Sequence, residues 1–331
     1  METDSGYKRL GMIYIIKAAA CIMIFLYHCN TILPGEWKFL TLFGQDLGNN
    51  LFFMVSGFAL YPSIVRTGKN RFFPWYFKRL IRILPMTVIA YILTYLMGYY
   101  SFSDKNQLFV VFIYPTLYWF ITAILIFYIL VFFIGKYCKI RTGCIMCAIL
   151  AVMYLLLTGR QERLYVIGLL SMLSGFYLRS LLEEKKNSTD INKPDKTYLY
   201  KLVLSMVLSG FIFIAGELMT QGYLQALFII CGALCFGISS LMAGFYADAA
   251  INKYLNEGTV LFNIVRYIGN MALPLYLVQC FCSGYIGFTI GLMVNFPMSF
   301  AVNFIVVWLL GSVLYLADFL ISRMISRLSK V

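Results

Sequence analysis

Residues 10–33 read LGMIYIIKAAACIMIFLYHCNTIL, an apolar segment that contains Lys17 near its middle and His28 near its end. A helix needs about 20 residues to cross a bilayer, so this segment is long enough to span one. A cleaved signal peptide has a shorter apolar core followed by a cleavage site of the A-x-A kind, and this segment has a lysine within it and no such site after it. We therefore predict a retained first transmembrane helix.

The rest of the chain is also apolar. Of the 331 residues, 61% are hydrophobic and 12% are charged, and the mean hydropathy is +0.82. A soluble domain carries about a quarter charged residues, so this chain has too few charges to cover a surface that faces water. We predict an all-α, polytopic membrane protein, in which residues 1–331 form one membrane-embedded domain with a bundle of about ten transmembrane helices. The predicted spans are 10–33, 47–65, 80–99, 116–135, 143–158, 164–182, 201–219, 222–244, 267–291 and 298–321.

Two connections between these spans have distinct compositions. Residues 99–116 include several aromatic side chains and could form a re-entrant or interfacial segment, which leaves the number of helices open by about one. Residues 183–197 are strongly polar and are predicted to form a cytoplasmic linker.

The basic residues are distributed unequally between the two sides of this ten-helix arrangement. Of the 27 Lys and Arg residues, 22 fall on one side, four fall on the other, and Lys17 lies within a helix. Such an excess marks the cytoplasmic side, so both termini are predicted to be cytoplasmic. The net charge of +13 therefore reflects membrane topology, and we expect lipid rather than nucleic acid as a partner. The four residues on the poorer side are Lys38, Lys105, Arg160 and Arg163.

The nine cysteines lie mainly in apolar spans, where free cysteine behaves as a small hydrophobic residue. Cys144 and Cys147 form a C-x-x-C pair, but no second pair and no nearby histidine completes a metal-binding set. We expect no metal cofactor.

Ionisable side chains within a membrane helix are costly and usually functional. Lys17 and His28, the only histidine, are eleven residues apart, which places them roughly 20° apart around a helix, on one face. Along the axis they are separated by about 16 Å. One interpretation is that Lys17 extends to the headgroups and His28 is merely interfacial. The other is a polar track through the bundle, with a neutral imidazole that serves as a general base at the outer end.

Arg79 and Arg82 lie where a basic connection enters the third span, shortly before Pro85. Residues at positions i and i+3 share a helix face, and two guanidinium groups there could bind phosphate oxygens bidentately. Ordinary anchoring of positive charge at the cytoplasmic surface would explain an isolated R-x-x-R equally well.

Five segments, taken in order, resemble the acyltransferase 3 family, bacterial membrane O-acyltransferases that modify cell-surface glycans. The family's first helix has a basic residue and a histidine eleven positions apart, as in Lys17 and His28. The other segments, in chain order, are GNNLFFMVSGF at 48–58, KRLIRILP at 78–85, YWFI at 118–121 and GNMALPLYLVQ at 269–279.

Three positions depart from the family pattern. Lys17 replaces the usual arginine, which keeps the charge but loses the bidentate fork. Tyr14 occupies a position that is often acidic, and Gln279 stands where the family has a second histidine. His28 is therefore left as the sole histidine base.

The resemblance implies transfer of an acyl group, usually acetyl, from coenzyme A to a sugar hydroxyl, in the inner (plasma) membrane of a bacterium. It implies that Arg79, Arg82 and Lys17 bind acetyl-CoA and that His28, assisted by Lys17, is catalytic. Direct transfer and an acyl-histidine intermediate both remain open, as do the acceptor glycan and the oligomeric state, including a homodimer. Candidates for contacts with the oxyanion or the acceptor are Asp46, Asn49, Asn50, Ser56, Tyr118, Trp119 and Gln279, with Glu36, Gln161, Glu162 and Arg163 as further residues on the outer face.

The alternative is a transporter or flippase for a lipid-linked or anionic substrate, since a helical bundle with a buried lysine and histidine would suit that function too. Transporters often contain two related halves with matched broken helices. The sequence shows no such repeat, so the acyltransferase is favoured.

The charge distribution gives the first testable prediction. Alkaline phosphatase fused after Val331 should be inactive and a fluorescent reporter at the same place should be bright, because both termini are predicted to be cytoplasmic. Phosphatase activity from this fusion would contradict the topology.

Overall fold

The computed structural model of the protein describes residues 11–96, 119–158, 163–187, 196–219, 222–254, 259–282 and 294–328. These residues form helices and short helical turns without β-strands. The long helices are α1 (Gly11–His28), α2 (Asn49–Arg66), α3 (Phe72–Leu96), α4 (Trp119–Tyr137), α5 (Ile140–Thr158), α6 (Arg163–Asn187), α7 (Lys196–Leu218), α8 (Tyr223–Tyr254), α9 (Val260–Asn270), α10 (Ala272–Phe281) and α11 (Met298–Leu328).

The predicted class, an all-helical polytopic membrane protein, is confirmed. Eight helices of the described ranges are long and apolar enough to cross a membrane, and the bent pair α9–α10 raises the number to nine. The predicted second span is an 18-residue helix, α2, but it falls outside these eight. Its sequence is more polar because it begins with two asparagines and contains Pro62 and Arg66. Since α2 is largely buried among other helices, it does not need a lipid-facing composition.

The predicted ninth span, 267–291, is wrong as a single straight helix. In the structure α9 begins seven residues earlier, and α9 and α10 meet at an angle of 55°. Pro274 in the first turn of α10 explains the break, because proline lacks an N–H and its ring clashes with the carbonyl four residues before it, that of Asn270. Residues 283–293 lie outside the described ranges.

Several helices extend beyond the predicted apolar spans. α3 begins at Phe72 rather than at residue 80, and α8 and α11 continue to Tyr254 and Leu328. α6 continues to Asn187, so the first residues assigned to the polar linker are helical. A helix can continue in polar surroundings after its apolar segment ends, and hydropathy therefore underestimates its length. The segments 99–116 and 188–195 lie outside the described ranges.

The centre of the bundle is the contact between α2 and α6, which rests on two glycines. A Cβ atom on Gly57 of α2 would overlap the backbone carbonyl of Met172 on α6. Reciprocally, a Cβ atom on Gly175 of α6 would overlap the carbonyl of Met54 on α2. Small residues of this kind let membrane helices approach closely and pack by van der Waals contact. α1 packs against α2 and also contacts α8, α9 and α10.

The chain between α1 and α2 folds back onto the C-terminal half of α1. A 3-10 helix, Gly35–Phe43, leads into a π-helical turn, Gly44–Gly48. Gly44 packs against the backbone and Cβ of Tyr27, and Gly48 packs against Ile24. This packing places the start of α2 beside the end of α1 that carries His28.

The glycine contact predicts opposite effects for two matched substitutions. Gly175→Ala should destabilise the protein by about 1–3 kcal/mol, because the added methyl group meets backbone atoms that cannot rotate away. Gly210→Ala on α7 adds the same group where nothing lies within 4 Å, and it should be neutral or stabilising by up to about 1 kcal/mol. Thermal unfolding of both variants in one detergent measures the difference. Equal melting temperatures would contradict the packing described.

Candidate functional site

One cavity of about 820 Å³ opens among the helices at the end of the bundle where α1 begins. Its walls come from α1, α2, α3, α4, α6, α9, α10 and α11. It brings together Lys17, Arg79 and Arg82, which the sequence predicted to share a function. Among the described residues, six basic side chains line it, and Asp318 is the acidic residue of its lining. The six are Lys17, Arg66, Arg79, Arg82, Arg179 and Arg266.

The basic side chains differ in exposure along the cavity. Arg66, Arg82 and Arg266 are exposed and mark its mouth, whereas Lys17 and Arg79 are half-buried. Arg179 is buried, with 6% of its surface exposed. An anion that enters the cavity would therefore meet positive charge from the mouth to the interior.

Arg79 is held by the protein itself. One terminal nitrogen donates to the carbonyl of Trp75 at 2.7 Å, and the other donates to Oγ of Ser63 at 2.8 Å. The guanidinium group also stacks on the Trp75 indole, 3.9 Å from the ring centroid. Trp75 Nε1 donates to the same Ser63 hydroxyl at 3.3 Å, so Arg79 joins α3 to α2.

Arg82 has a different environment from Arg79. Its side chain is exposed at the cavity mouth, and its charge acts on Asp318 of α11 and on the Tyr128 hydroxyl of α4. The two arginines predicted as an equivalent pair are therefore distinct, because Arg79 supports the wall and Arg82 presents its guanidinium to the cavity.

Ser56, a predicted oxyanion donor, lies in the same cavity. It lines the cavity together with Tyr128, Arg79 and Arg82. The structure thus groups Ser56 with the predicted coenzyme-binding residues rather than with Asn49 and Asn50. Ser56 lies six positions after Asn50, which is about 9 Å along α2.

The interior end of the cavity is formed by aromatic rings. Phe52, Phe120 and Tyr276 line it, and each is at most 7% exposed. The ring centroids of Phe52 and Phe120 are 6.1 Å apart, and those of Phe120 and Tyr276 are 4.9 Å apart. Since Phe52 lies near the start of α2 and Phe120 near the start of α4, these rings stand between the basic cavity and the opposite end of the bundle.

His28 lies towards that opposite end. It is the last residue of α1, half-buried, and its ring packs edge-on to Tyr27 with centroids 5.3 Å apart. Among the described residues, the lining of the basic cavity includes Lys17 but not His28. Lys17 and His28 therefore belong to two different polar regions of one helix.

The π-helical turn and the start of α2 contribute three predicted acceptor or oxyanion residues to the His28 end of α1. Asp46 is 4% exposed and pairs with Arg163 at 2.8 Å, and Asn49 is 5% exposed. Asn50 is fully buried, where its amide nitrogen donates to the Ala233 carbonyl and its oxygen accepts from Ser171. Asn50 therefore connects α2 to α6 and α8, and these contacts give its side chain a structural role.

The remaining predicted residues occupy different surroundings. Trp119 packs against Phe53 and Tyr165, with ring centroids 6.0 and 5.5 Å away. Gln279 of α10 is fully buried, and neither polar atom of its side chain has a hydrogen-bond partner within the described ranges. Glu36 is exposed on the 3-10 helix. Tyr118, Gln161 and Glu162 lie outside the described ranges.

Two cavity residues were missed from the sequence. Arg179 forms an ion pair with Glu183 at 2.6 Å and lies over the Phe58 ring, 4.9 Å from its centroid. Asp318 lies within the last predicted span. The rule that drew attention to Lys17, that ionisable side chains within membrane helices are functional candidates, also applies to both.

Comparison with protein families identifies the chain. The family model for the acyltransferase 3 family, described as an acyltransferase domain, matches residues 13–317. The chain belongs to this family. Comparison with curated proteins and with solved structures found no match. The match covers nearly the whole chain and includes His28 and the six basic side chains of the cavity, so this membrane acyltransferase carries both groups of residues within its family domain.

The environments of Arg79 and Arg82 predict different effects on the stability of the acyltransferase. Arg79→Ala should destabilise it by about 2–4 kcal/mol, because two hydrogen bonds and a cation–π contact are lost. Arg82→Ala, its matched control, should change the free energy of unfolding by less than about 0.5 kcal/mol, as is usual for an exposed side chain. Thermal unfolding in detergent distinguishes them. Equal losses of stability in Arg79→Ala and Arg82→Ala would contradict the different environments described for the two arginines.

Proposed function

We propose that this protein moves an acetyl group from acetyl-CoA to a sugar hydroxyl of a surface or exported polysaccharide. The observation that carries the proposal is the basic cavity, in which six positively charged side chains converge within an acyltransferase domain. Coenzyme A carries several phosphates, and a cavity of this charge and size suits such a donor. The 22-to-4 distribution of basic residues supports a cytoplasmic position for its mouth, where acetyl-CoA is made.

Different residues of the cavity bind different parts of the donor. Arg82, exposed at the mouth and free of the contacts that hold Arg79, is placed to bind phosphate oxygens bidentately. Arg66 and Arg266 add positive charge beside it. Lys17 lies further inside and binds as a point charge, because an ammonium group lacks the planar fork of arginine.

The acyl group then has to travel from the cavity towards His28. Lys17 and His28 are about 16 Å apart along α1, a distance that the flexible pantetheine arm of the coenzyme would cover. Phe52, Phe120 and Tyr276 lie on this route. For the thioester to reach His28, these three rings, which we call the aromatic layer, must move apart. Donor binding therefore requires the aromatic layer to open.

At His28 the chemistry is a transfer between thioester and hydroxyl. The neutral imidazole takes the proton of the acceptor hydroxyl as its oxygen attacks the thioester carbonyl carbon. Collapse of the tetrahedral intermediate breaks the C–S bond, and the imidazolium returns the proton to the leaving thiolate. An acetyl ester and free coenzyme A result, with no net change in protons. An acyl-histidine intermediate would give the same products in two steps.

Polar groups near the end of α1 could bind the acceptor and stabilise the oxyanion. Asn49 lies in the segment that packs on this end of the helix, and its amide could donate to the oxyanion. Asp46 and Arg163 are held at the same end, and an ion pair at its edge suits contacts with sugar hydroxyls. Gln279 is a buried amide without a described partner, and it fits a role in holding a polar ligand.

The test separates donor binding from chemistry. Membranes from cells that produce the protein would receive labelled acetyl-CoA, and label in the polysaccharide fraction would be counted. His28→Ala should lower kcat by at least about 100-fold with little change in the KM for acetyl-CoA, because it removes a general base. Arg82→Ala should raise that KM at least about tenfold, because charge-assisted hydrogen bonds to phosphate are lost.

Three outcomes would contradict the proposal. Turnover above about a tenth of wild type in His28→Ala would exclude the imidazole as the base. An unchanged KM in Arg82→Ala would exclude the cavity mouth as the donor site. Absence of label transfer by the wild-type protein, together with accumulation of an intact substrate across vesicles, would instead support a transporter.

A further inference from the structure

Asp318 is an acidic residue in a cavity built from basic ones. It lies on α11, within a helix long and apolar enough to span the membrane. Placing a carboxylate there is costly, and a site that only had to attract phosphate would gain nothing from a negative charge. Its presence therefore calls for a function other than attraction of phosphate.

The surroundings of Asp318 show which of its oxygens lacks a hydrogen-bond partner. Its Oδ1 atom is buried and has no hydrogen-bond partner within the described part of the chain. The carboxylate lines the same cavity as Arg82, and α3 packs against α11, which brings the two side chains to facing walls. The charge of Arg82 acts on this carboxylate and offsets part of the cost of burying it. That oxygen nevertheless remains an unused acceptor on a side chain that lines the cavity.

The chemistry of a carboxylate limits what that oxygen can bind. An ionised carboxylate only accepts hydrogen bonds, so it recognises N–H and O–H groups and repels phosphate oxygens. A ligand that satisfies both Arg82 and Asp318 must carry a phosphate and, close to it, a hydrogen-bond donor. Inorganic phosphate and pyrophosphate can offer only a P–OH hydrogen on the same group that Arg82 would bind, whereas the organic part of a nucleotide-linked acyl donor offers N–H and O–H groups apart from its phosphates.

We propose that Asp318 is a specificity-determining residue of the donor site, whose Oδ1 accepts a hydrogen bond from an N–H or O–H group of the acyl donor beside the phosphate held by Arg82. This inference rests on the proposed function, since it takes the basic cavity to be the donor site. The carboxylate makes the cavity select a phosphorylated organic donor over simple polyphosphates, which are abundant competitors for any cluster of arginines. Specificity of this kind comes from one attractive contact and one repulsive contact at the same side chain.

The experiment compares two ligands on the full-length protein in detergent. Calorimetry would measure Kd for acetyl-CoA and for pyrophosphate with the wild type, Asp318→Leu and Asp318→Asn. In Asp318→Leu, binding of acetyl-CoA should weaken at least about tenfold, because a hydrogen bond to a charged group is lost. Binding of pyrophosphate should stay the same or tighten, because a negative charge is removed. Asp318→Asn retains an oxygen acceptor, so its loss for acetyl-CoA should be smaller.

Asp248→Asn is the matched control. Asp248 is an acidic residue of α8 that accepts a hydrogen bond from the backbone N–H of Met12, near the start of α1, and it is outside the cavity lining. This substitution also removes one negative charge from that end of the bundle. Both dissociation constants should remain those of the wild type.

Each other outcome is decisive. Equal tightening of both ligands would show that Asp318 merely repels anions, and unchanged Kd for acetyl-CoA would show that it makes no contact with the donor. Weakening of both ligands with a lowered melting temperature in Asp318→Leu and Asp318→Asn would assign it a structural role. If the wild type binds acetyl-CoA, each of these results overturns the role proposed for Asp318 and leaves the proposed function standing. If the wild type binds pyrophosphate but not acetyl-CoA, the proposed donor is wrong and the inference fails with it.

Discussion

Charged side chains in membrane-spanning helices must find their partners inside the protein, because lipid neither solvates nor pairs them. In this acyltransferase, five helices turn basic side chains towards one cavity. Like charges gathered in this way repel one another, and an anionic ligand relieves that repulsion. The arrangement of the bundle therefore favours a polyanionic ligand before any particular contact is considered. Without a ligand, hydrogen bonds and stacking on Trp75 stabilise the charge of Arg79.

Two helices connect this cavity with the opposite end of the bundle. α1 carries Lys17 in the cavity and His28 at its far end, and α2 carries Ser56 in the cavity and Asn49 at its start. The glycine contact between α2 and α6 fixes α2 in depth and rotation, because backbone atoms touch directly. The two polar regions are therefore held at a set separation, with aromatic rings between them. A donor that enters at one end and an acceptor that enters at the other fit this division.

The sequence predicted the helical class, because hydropathy is a local property. That Lys17, Arg79 and Arg82 serve one donor site was implied by the family resemblance, since helical spacing cannot relate residues of different helices. It did not predict that Arg79 and Arg82 differ, since the partner Ser63 of Arg79 lies on another helix. Ser56 was grouped with Asn50 by closeness in sequence, but the helical rise places Ser56 about 9 Å further along α2, in the basic cavity. The break at Met271 could have been predicted from Pro274, whose effect on the preceding turn is local. Asp318 and Arg179 could have been found as charges within apolar spans.

The central claim is that the donor lies in the basic cavity and that its acyl end passes the aromatic layer towards His28. A structure of the protein determined with bound acetyl-CoA tests this claim most directly. We expect phosphate groups beside Arg82, the pantetheine arm next to Lys17, displaced rings of Phe52, Phe120 and Tyr276, and a thioester directed at His28. Phosphate groups at the His28 end of the bundle, or a thioester that stays in the basic cavity beneath closed rings, would contradict it.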